Sequence, residues 1–279
     1  MASTTPWPTD DELAAAYGSW YRPSTGRFGP VGDRILRASR ATLVRRLTRR
    51  APPGPVLDVG AGDGTLTDAI RAAGRQATGL DRYADRPDFD RRDPLEVDGE
   101  WAAIVLWHSL EHLPRAGAVV DHLATRLVPG GIMIVAMPNA GSFQARLFGD
   151  RWFALDVPRH LVHVPADALV ARLRGAGLTV ERVDQVRGGQ IVFGWLHGIV
   201  GTLPGRPDLY DAIREPAARQ RPMTPRARRR ALLAAVLLLP VALVAAAAEV
   251  ALRRSGTAYV EARRGEAQPG DPGGIRNTE

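Results

Sequence analysis

The first two thirds of the chain alternate short apolar runs with segments whose apolar residues follow a helical spacing. Residues 55–60, 101–107 and 132–137 are almost continuously apolar. Such runs predict strands that are buried on both faces of a sheet. Because helical segments separate them, the pattern indicates an α/β fold with a parallel sheet covered on both sides.

The remaining elements follow from the same pattern. Helices between the strands are predicted at residues 65–74, 114–127 and 166–175. Further strands are predicted at residues 76–80, 178–183 and 256–263, with a weak strand near 89–92 and a turn at 128–131. Before the first strand we expect a loose tail at residues 1–10, then two helices around a loop at residues 11–50, the second near 32–50.

Residues 231–252 are almost wholly apolar, with the sequence ALLAAVLLLPVALVAAAAEVAL. This length is sufficient for a spanning helix, but Pro240 lies in the middle and arginines flank both ends. The strand at 256–263 must return to the sheet, which a single crossing would prevent. We therefore interpret residues 231–252 as two helices with a break near Pro240. They could lie on an anionic membrane face through residues 226–254, pack on the core or form a homodimer contact.

These boundaries divide the chain into five predicted parts. They are a helical cap at 1–50, a sheet core at 51–186, a lid with the apolar helical insertion at 187–254, a last core strand at 255–264 and a disordered tail at 265–279. The tail is rich in Gly and polar residues, which disfavour a packed structure.

Composition narrows the chemistry. The chain has 279 residues, no Cys and a net charge of +7, so thiolate metal sites and a Cys nucleophile are excluded. No Lys is present and all basic residues are Arg, which suggests genome composition rather than a nucleic-acid surface. Without a basic groove interleaved with aromatic residues, we expect no nucleic-acid partner. The polar N-terminus has no signal-peptide pattern, and a cytoplasmic location is expected, with contact to the inner face of the membrane an open alternative.

The strongest motif is DVGAGDG at residues 58–64, directly at the end of a predicted strand. Glycines at such a corner let the backbone approach a ligand, with a helix N-terminus behind them. A dinucleotide site favours the spacing G-x-G-x-x-G, whereas the third glycine here comes one residue early. Asp81 ends the second predicted strand, where an acid can accept hydrogen bonds from ribose hydroxyls.

These residues resemble the class I S-adenosylmethionine-dependent methyltransferases. The segment WAAIVLWHSLEHL at 101–113 is similar to the fourth-strand motif of the ubiquinone/menaquinone-biosynthesis subgroup, and RWFALDVPRHL at 151–161 resembles a narrower bacterial branch of it. The resemblance covers residues 15–185 and resumes at 256–263. It implies a Rossmann-like seven-stranded sheet with an N-terminal helical cap and the apolar helical insertion before the last strand.

The resemblance also implies a cofactor site for S-adenosylmethionine. Asp58 is expected near the methionyl ammonium, Asp81 at the ribose and Asp93 at the adenine amino group. The full set of predicted cofactor residues is Asp58, Gly60, Ala61, Gly62, Gly64, Asp81, Arg82, Asp93, Trp107 and His108. The cap residues Trp20, Tyr21, Arg27 and Phe28 are candidates to fold over the cofactor.

The catalytic candidates are His112, His160 and Glu111, which follow the fourth and fifth predicted strands. If the acceptor is a hydroxyl, a base assists the transfer, and histidine suits neutral pH. Glu111 could orient His112 or cap the next helix. No metal ligand is predicted, although His108, Glu111, His112 and His163 could together hold a divalent ion.

The sequence therefore predicts a methyltransferase that acts on a small or lipid-linked acceptor, most simply at oxygen. Carbon or nitrogen methylation is an alternative. A membrane-associated module that binds S-adenosylmethionine without turnover is another, and an oxidoreductase that uses a nicotinamide is a more distant one.

Overall fold

The computed structural model describes residues 2–17, 29–185 and 188–266. Its centre is a six-stranded sheet. The strands of this sheet are β2 (Val56–Val59), β3 (Ala77–Leu80), β4 (Trp101–Trp107), β5 (Leu127–Pro138), β7 (Leu178–Asp184) and β8 (Thr257–Arg264). Two further short strands, β1 (Ala2–Ser3) and β6 (Val162–His163), pair with each other outside this sheet. The strand order in the six-stranded sheet is β3-β2-β4-β5-β8-β7. Strands β3, β2, β4 and β5 are parallel, and β8 is antiparallel to both β5 and β7.

The expected seventh strand near residues 89–92 is wrong for the described chain. Leu80 and Asp90 form a single parallel bridge there, in which Asp90 N donates to Gly79 O at 2.9 Å and Asp81 N donates to Asp90 O at 2.9 Å. Phe89 is buried, but Arg91 and Arg92 beside it are exposed. A segment with one inward apolar side chain buries too little surface to extend the pairing.

Helices cover both faces of the sheet, because alternate residues of the strands point to opposite sides. On one face, α2 (Gly29–Arg50) and α3 (Thr65–Ala72) pack through Leu47 and Ile70 against Ala103 and Val105. On the other, α4 (Ala116–Thr125) and α6 (Ala166–Gly175) pack against residues that include Ile104 and Leu106. The expectation of a sheet buried on both sides is confirmed.

The N-terminus is not the loose tail that the sequence predicts. Strand β1 pairs antiparallel with β6, and Thr4 Oγ1 donates to the carbonyl oxygen of His160 at 2.7 Å. The short helix α1 (Asp10–Ala16) follows, capped by Thr9 and Glu12. Polarity alone disfavours order, but edge pairing here needs only backbone groups and one hydroxyl. The predicted cap residues Trp20, Tyr21, Arg27 and Phe28 lie outside the described residues, as does most of the predicted tail at 265–279.

The predicted turn at 128–131 lies inside β5 instead. The register of β5 against β4 shifts between Trp101 and Ala103, which pair with Leu127 and Ile132. Gly130 has a φ of +72°, which suits glycine at this irregularity. The turn residues therefore bulge from one continuous strand.

Among the described residues between β7 and β8, three α-helices are present, namely α7 (Gly188–Gly201), α8 (Leu209–Ile213) and α9 (Pro225–Ala251). Another short helix, α5 (Phe143–Phe148), follows β5 and contacts α7. Contrary to the two-helix interpretation, α9 continues through Pro240 without a break. Pro240 lies on the exposed side of α9, where the carbonyl that loses its partner is not covered by another helix.

The opposite side of α9 is fixed to the protein. Ala231, Ala235, Ala242 and Ala246 are buried there, and α9 packs extensively against α7. Glu249, the acid of this helix, is also buried and accepts hydrogen bonds from Gln144 N at 3.0 Å, Gln144 Nε2 at 2.8 Å and Trp195 Nε1 at 2.9 Å. These bonds anchor the end of α9 next to β8.

Candidate active site

The glycine corner after β2 has the geometry that its sequence predicts. Gly60, Gly62 and Gly64 have φ values of +73°, +63° and +80°, which residues with a Cβ rarely adopt. A Cβ on Gly60 would lie 2.3 Å from Ser109 Cβ, so the corner also packs closely against the end of β4. The corner leads directly into helix α3.

Asp58 lies in β2 and is only 1% exposed. Its Oδ2 accepts a hydrogen bond from Thr67 Oγ1 at 2.7 Å. Burial raises the pKa of Asp58 to about 6, although the Thr67 hydroxyl opposes this shift. The carboxyl is therefore buried beneath the corner, and its charge depends on pH near neutrality.

Asp81 links the corner to the end of β3. Its Oδ2 accepts from Gly62 N at 2.8 Å, and its Oδ1 accepts from Tyr83 N at 2.9 Å. The side chain thus orders the corner as well as presenting an acid at the carboxyl edge of the sheet. Ala61 is buried beside it, whereas Arg82 is exposed.

Asp93 has a structural role that the sequence did not indicate. It caps the turn Pro94–Glu96, with Oδ1 accepting from Leu95 N at 2.9 Å, and Arg115 Nη2 lies 3.3 Å from its Oδ2. Its predicted contact with adenine remains a prediction.

A cluster of three histidines surrounds Glu111, in the turn Leu110–His112 after β4. Glu111 is 4% exposed, and its Oε1 lies 3.6 Å from His108 Nδ1 and 4.0 Å from His160 Nε2. Burial alone would raise the pKa of Glu111, but these rings and His112 together bring it down to about 2. Within the described part of the chain, Glu111 Oε2 has no hydrogen-bond partner.

The histidine ring nitrogens have distinct environments. Nδ1 of His112 lies 2.9 Å from the carbonyl oxygen of Arg159, and Nδ1 of His160 lies 2.8 Å from that of Ala154. A carbonyl only accepts, so each Nδ1 carries the proton and each Nε2 has a lone pair. Desolvation lowers the pKa of His112 to about 4, against the opposing charge of Glu111. The two rings meet edge to face at 4.8 Å between centroids.

Glu111, His112 and His160 resemble a metal site in composition. Their ligating atoms lie within 4.8 Å of one another. Two ligands of one ion with bonds of about 2.1 Å lie no more than ~4.2 Å apart, so the group is slightly too wide as it stands. His163 lies in β6, with Nε2 3.4 Å from Thr4 Oγ1, and is not part of this set.

Trp107 and His108 end β4 at the same edge of the sheet. Trp107 packs edge to face on His108 and on Tyr259, and His108 has a φ of +52°. His108 Nε2 lies 3.5 Å from Gln190 Nε2, at the start of α7. The predicted lid segment therefore reaches the predicted cofactor edge.

Three residues of this edge were missed by the sequence interpretation. The Tyr17 hydroxyl lies 2.9 Å from His112 Nδ1, and its ring stacks on Tyr83 at 5.7 Å. Arg159 is buried and binds Asp156 through Nε at 3.0 Å, and its Nη1 donates to Ala16 O at 3.3 Å. Both Arg159 and Asp156 lie in the 151–161 motif, which was the available signal. Nothing in the sequence pointed to Tyr17.

A family model described as a methyltransferase domain matches residues 32–183, more than half of the chain. The chain belongs to this family. It is an S-adenosylmethionine-dependent methyltransferase, as the glycine corner and the resemblance predicted.

Two curated relatives of this methyltransferase are both named ubiquinone biosynthesis O-methyltransferase. The protein from Xylella fastidiosa (strain 9a5c) is 29% identical over 204 residues, which cover 63% of this chain and 80% of the relative. The protein from Xanthomonas axonopodis pv. citri (strain 306) is 28% identical over 201 residues, which cover 62% and 81%.

The fold has similar solved structures. One chain of the complex between the Haloferax volcanii Trm112 methyltransferase activator and the putative methyltransferase matches with a TM-score of 0.50 and 15% identity, over 92% of this chain and all of that chain. At this identity the likeness shows the fold.

The residues present fit the cofactor of the family. Left-handed glycines open the backbone after β2, Asp81 stands at the end of β3, and buried Ser109 Oγ has no hydrogen-bond partner among the described residues. When bound, S-adenosylmethionine supplies an electrophilic methyl group on a sulfonium. The chain supplies the binding corner and the surrounding polar groups.

Proposed function

We propose that the methyltransferase transfers a methyl group to a hydroxyl oxygen of a small or lipid-linked acceptor. The observation that carries this proposal is the placement of His160, whose Nδ1 lies 2.8 Å from the carbonyl oxygen of Ala154 and whose Nε2 lies 4.0 Å from Oε1 of buried Glu111. A hydroxyl is a weak nucleophile until a base takes its proton, whereas amines and sulfur need this help less. The names of the relatives from Xylella and Xanthomonas support oxygen as the acceptor atom.

His160 is the proposed base. Its Nε2 lies 3.7 Å from Asp156 Oδ2 and 4.0 Å from Glu111 Oε1, so two carboxylates stabilise the positive charge that the ring gains. His112 is a poor base, because desolvation lowers its pKa to about 4. We assign His112 to positioning, through its bonds to Tyr17 and Arg159 and its contact with His160.

Transfer itself is an in-line displacement that depends mainly on position and exclusion of water. Tyr17 contacts His112 and Tyr83, and the 151–161 loop holds His160 through the carbonyl oxygen of Ala154. In this proposal Asp81 holds the ribose, ionised Asp58 favours the methionyl ammonium, and His160 takes the acceptor proton. Glu111 remains charged beside the ring throughout.

Production of S-adenosylhomocysteine with a panel of soluble phenols and alcohols tests this function. The intact protein should turn over, and His160→Ala should lower kcat by a factor of about 10²–10⁴ with little change in cofactor affinity. Val183→Ala, a change of an exposed apolar residue in β7, serves as the control. A methyl group found on carbon or nitrogen of the product would contradict oxygen transfer, and cofactor binding without turnover on any acceptor would favour a binding module.

We also propose that the methyltransferase works in the cytoplasm at an anionic membrane surface and meets a lipid-linked acceptor there. Helix α9 is long and apolar enough to cross a membrane by length and composition, and 22% of its most apolar window is buried in the protein. Both of its ends join the same folded body, however, since α9 packs on α7 and β8 returns to the sheet. This connection supports a helix that lies on the membrane.

A further inference from the structure

Helix α9 carries its large apolar side chains on the outside. Four buried positions of the helix are alanines, whereas Leu237 is 77% exposed and Val244 is 72% exposed. An ordinary surface helix has the opposite arrangement, with large apolar residues against the core. The exposed large apolar residues of α9 and its C-cap are Leu233, Val236, Leu237, Leu239, Val241, Leu243, Val244 and Leu252.

The exposed side of α9 has no charged residue between Ala231 and Leu252. Glu249 is the single ionisable residue in this span, and it is buried against Gln144 and Trp195. Exposed Leu147 lies beside α9 along a groove that also contains Arg146, Ala245 and Ala248. The exposed apolar surface therefore extends beyond the helix to Leu147, with Arg146 beside it, and such surfaces are a feature of interaction sites.

A second groove adjoins this surface at the N-terminal end of α9. It has a volume of about 480 Å³, and its lining combines arginines with apolar side chains. The residues that define it here are Arg219, Arg228, Arg229, Met223, Leu232 and Val236.

Backbone contacts hold two of these arginines in place. Arg228 Nε donates to Ala212 O at 3.0 Å, and Arg219 Nε donates to Asp211 O at 3.1 Å. Within the described part of the chain, no carboxylate forms an ion pair with Arg219, Arg228 or Arg229. The Nη groups of such arginines match the geometry of a phosphate.

The charges at the ends of α9 distinguish between a second copy of the chain and an anionic membrane as the partner that covers this surface. Arg226, Arg229 and Arg230 lie at one end of the apolar face, and Arg253 and Arg254 lie at the other. A second copy of the chain, parallel or antiparallel, would bring arginines against arginines. A surface with anionic headgroups complements both ends.

From these contacts we propose that α9 docks on an anionic phospholipid surface, and that the groove of Arg219, Arg228 and Arg229 binds a lipid phosphate. The acyl chains of that lipid continue along Leu232 and Val236 onto the exposed apolar side of α9. This inference rests on the membrane contact proposed above and adds the lipid class and the residues that select it.

Co-sedimentation of the full-length protein with vesicles tests the proposal. The protein should pellet with vesicles that contain phosphatidylglycerol, and much less protein should pellet with vesicles of pure phosphatidylcholine. Arg228→Gln/Arg229→Gln should weaken binding by about tenfold or more, since each arginine near the surface contributes about 1 kcal/mol. The matched control Arg45→Gln/Arg49→Gln removes two exposed arginines from α2 and should change binding less than about twofold.

If the two double variants lose vesicle binding equally, the groove is not the phosphate site. If the parent binds both vesicle types equally, the preference for an anionic lipid is overturned. Leu237→Ser/Val244→Ser should also abolish pelleting. If that variant instead converts a dimer into a monomer during sedimentation velocity, without any vesicle binding by the parent, a second copy covers the surface.

Glycerol 3-phosphate distinguishes a soluble phosphate from a lipid. Calorimetric binding of this compound, with no binding to vesicles, would overturn the lipid assignment. Pelleting needs no turnover, so failure of the lipid proposal leaves methylation of a soluble hydroxyl acceptor intact. Conversely, pelleting survives if oxygen methylation is wrong.

Discussion

Asp81 shows how one side chain can serve both structure and ligand. Its two oxygens accept from the backbone of Gly62 and of Tyr83, and they therefore join the glycine corner to the end of β3. Each oxygen retains acceptor capacity for a hydroxyl. Removal of Asp81 should therefore weaken binding of the cofactor more than removal of an exposed acid does.

We expect Asp81→Ala to weaken S-adenosylhomocysteine binding by about 10- to 100-fold, in keeping with ~1.5–3 kcal/mol for hydrogen bonds to a charged group. Calorimetric titration measures the change. Asp98→Ala is the comparison, because the carboxylate of Asp98 is exposed and lies 3.7 Å from Arg92 Nη1. Affinity of the Asp81 variant equal to that of the parent would remove Asp81 from the ribose site.

Asp58 gives a pH-dependent prediction. Because burial raises its pKa to about 6, the free carboxyl is mostly neutral below that pH. If the ionised form favours the methionyl ammonium, affinity should be steady above pH 7 and fall below pH 6, by up to about tenfold per pH unit. Asp58→Asn should bind more weakly and with a flat pH profile, measured by titration from pH 5 to 8. A flat profile in the parent would contradict this role.

Local sequence predicted some of the site residues and could not have predicted others. The spacing of DVGAGDG and the acid after the second strand are readable because strand, corner and helix are contiguous in sequence. Tyr17 meets His112 from 95 positions away, and that meeting depends on how α1 docks against the 151–161 loop. No local pattern contains such a contact.

At the scale of elements, an ion-pair network ties α2 to the end of the sheet. Glu261 in β8 is 1% exposed, and it accepts hydrogen bonds from Arg46 and from the Tyr259 hydroxyl. Burial alone would raise the pKa of Glu261, but these donors hold it below its usual value. Glu181 in β7 also binds Arg50 and Arg263. The network therefore crosses from helix to both antiparallel strands.

Glu261→Gln should lower the free energy of unfolding at pH 7 by about 2 kcal/mol, since charged hydrogen bonds to a buried group are lost. A lowered pKa stabilises the fold above the unfolded value near 4.5, and this contribution declines as pH falls below that value and is lost as pH passes through the lower folded pKa. Urea unfolding at pH 7 and pH 4 checks the sign. The gap between variant and parent should narrow at pH 4, and a wider gap there would contradict the argument.

Helix α9 shows why its continuity was not predictable. A proline inside a helix costs about 3 kcal/mol, so the sequence favoured a break at Pro240. Alanines on both sides of that position pack on α7, and Glu249 fixes the far end. Tertiary contacts of this kind outweigh the local cost. By contrast, β4 and α6 match their expected bounds, because an unbroken apolar run defines β4 and a helical spacing of apolar residues defines α6.

At the scale of the whole molecule, the exposed apolar face of α9 should govern solubility. We expect Leu237→Ser/Val244→Ser to remain monodisperse at several-fold higher concentration than the parent, because these side chains contact water instead of the core. Light scattering over a concentration series measures this. The free energy of unfolding should change by less than about 0.5 kcal/mol, as expected for exposed positions. Trp7→Ser/Val183→Ser removes exposed apolar surface elsewhere and should give little gain.

The layered architecture itself was readable from the sequence, since alternating elements leave few ways to build a sheet. The seventh strand and the ordered N-terminus were not. The expected strand reduces to one bridge between Leu80 and Asp90, and the N-terminus is held by the two-residue pairing of β1 with β6 and by the Thr4 hydroxyl. Contacts as few as these leave no hydrophobic pattern in the sequence.

The place of β8 has a consequence for biosynthesis. β5 and β7 do not pair with each other. Both pair with β8, which lies between them in the sheet and follows α9 in the chain. A nascent chain therefore emerges from the ribosome with the edge of β5 unpaired until residues 257–264 appear. The apolar helix leaves the ribosome before the sheet can close. Synthesis close to a bilayer would shelter that helix during the interval in which an open edge most favours aggregation.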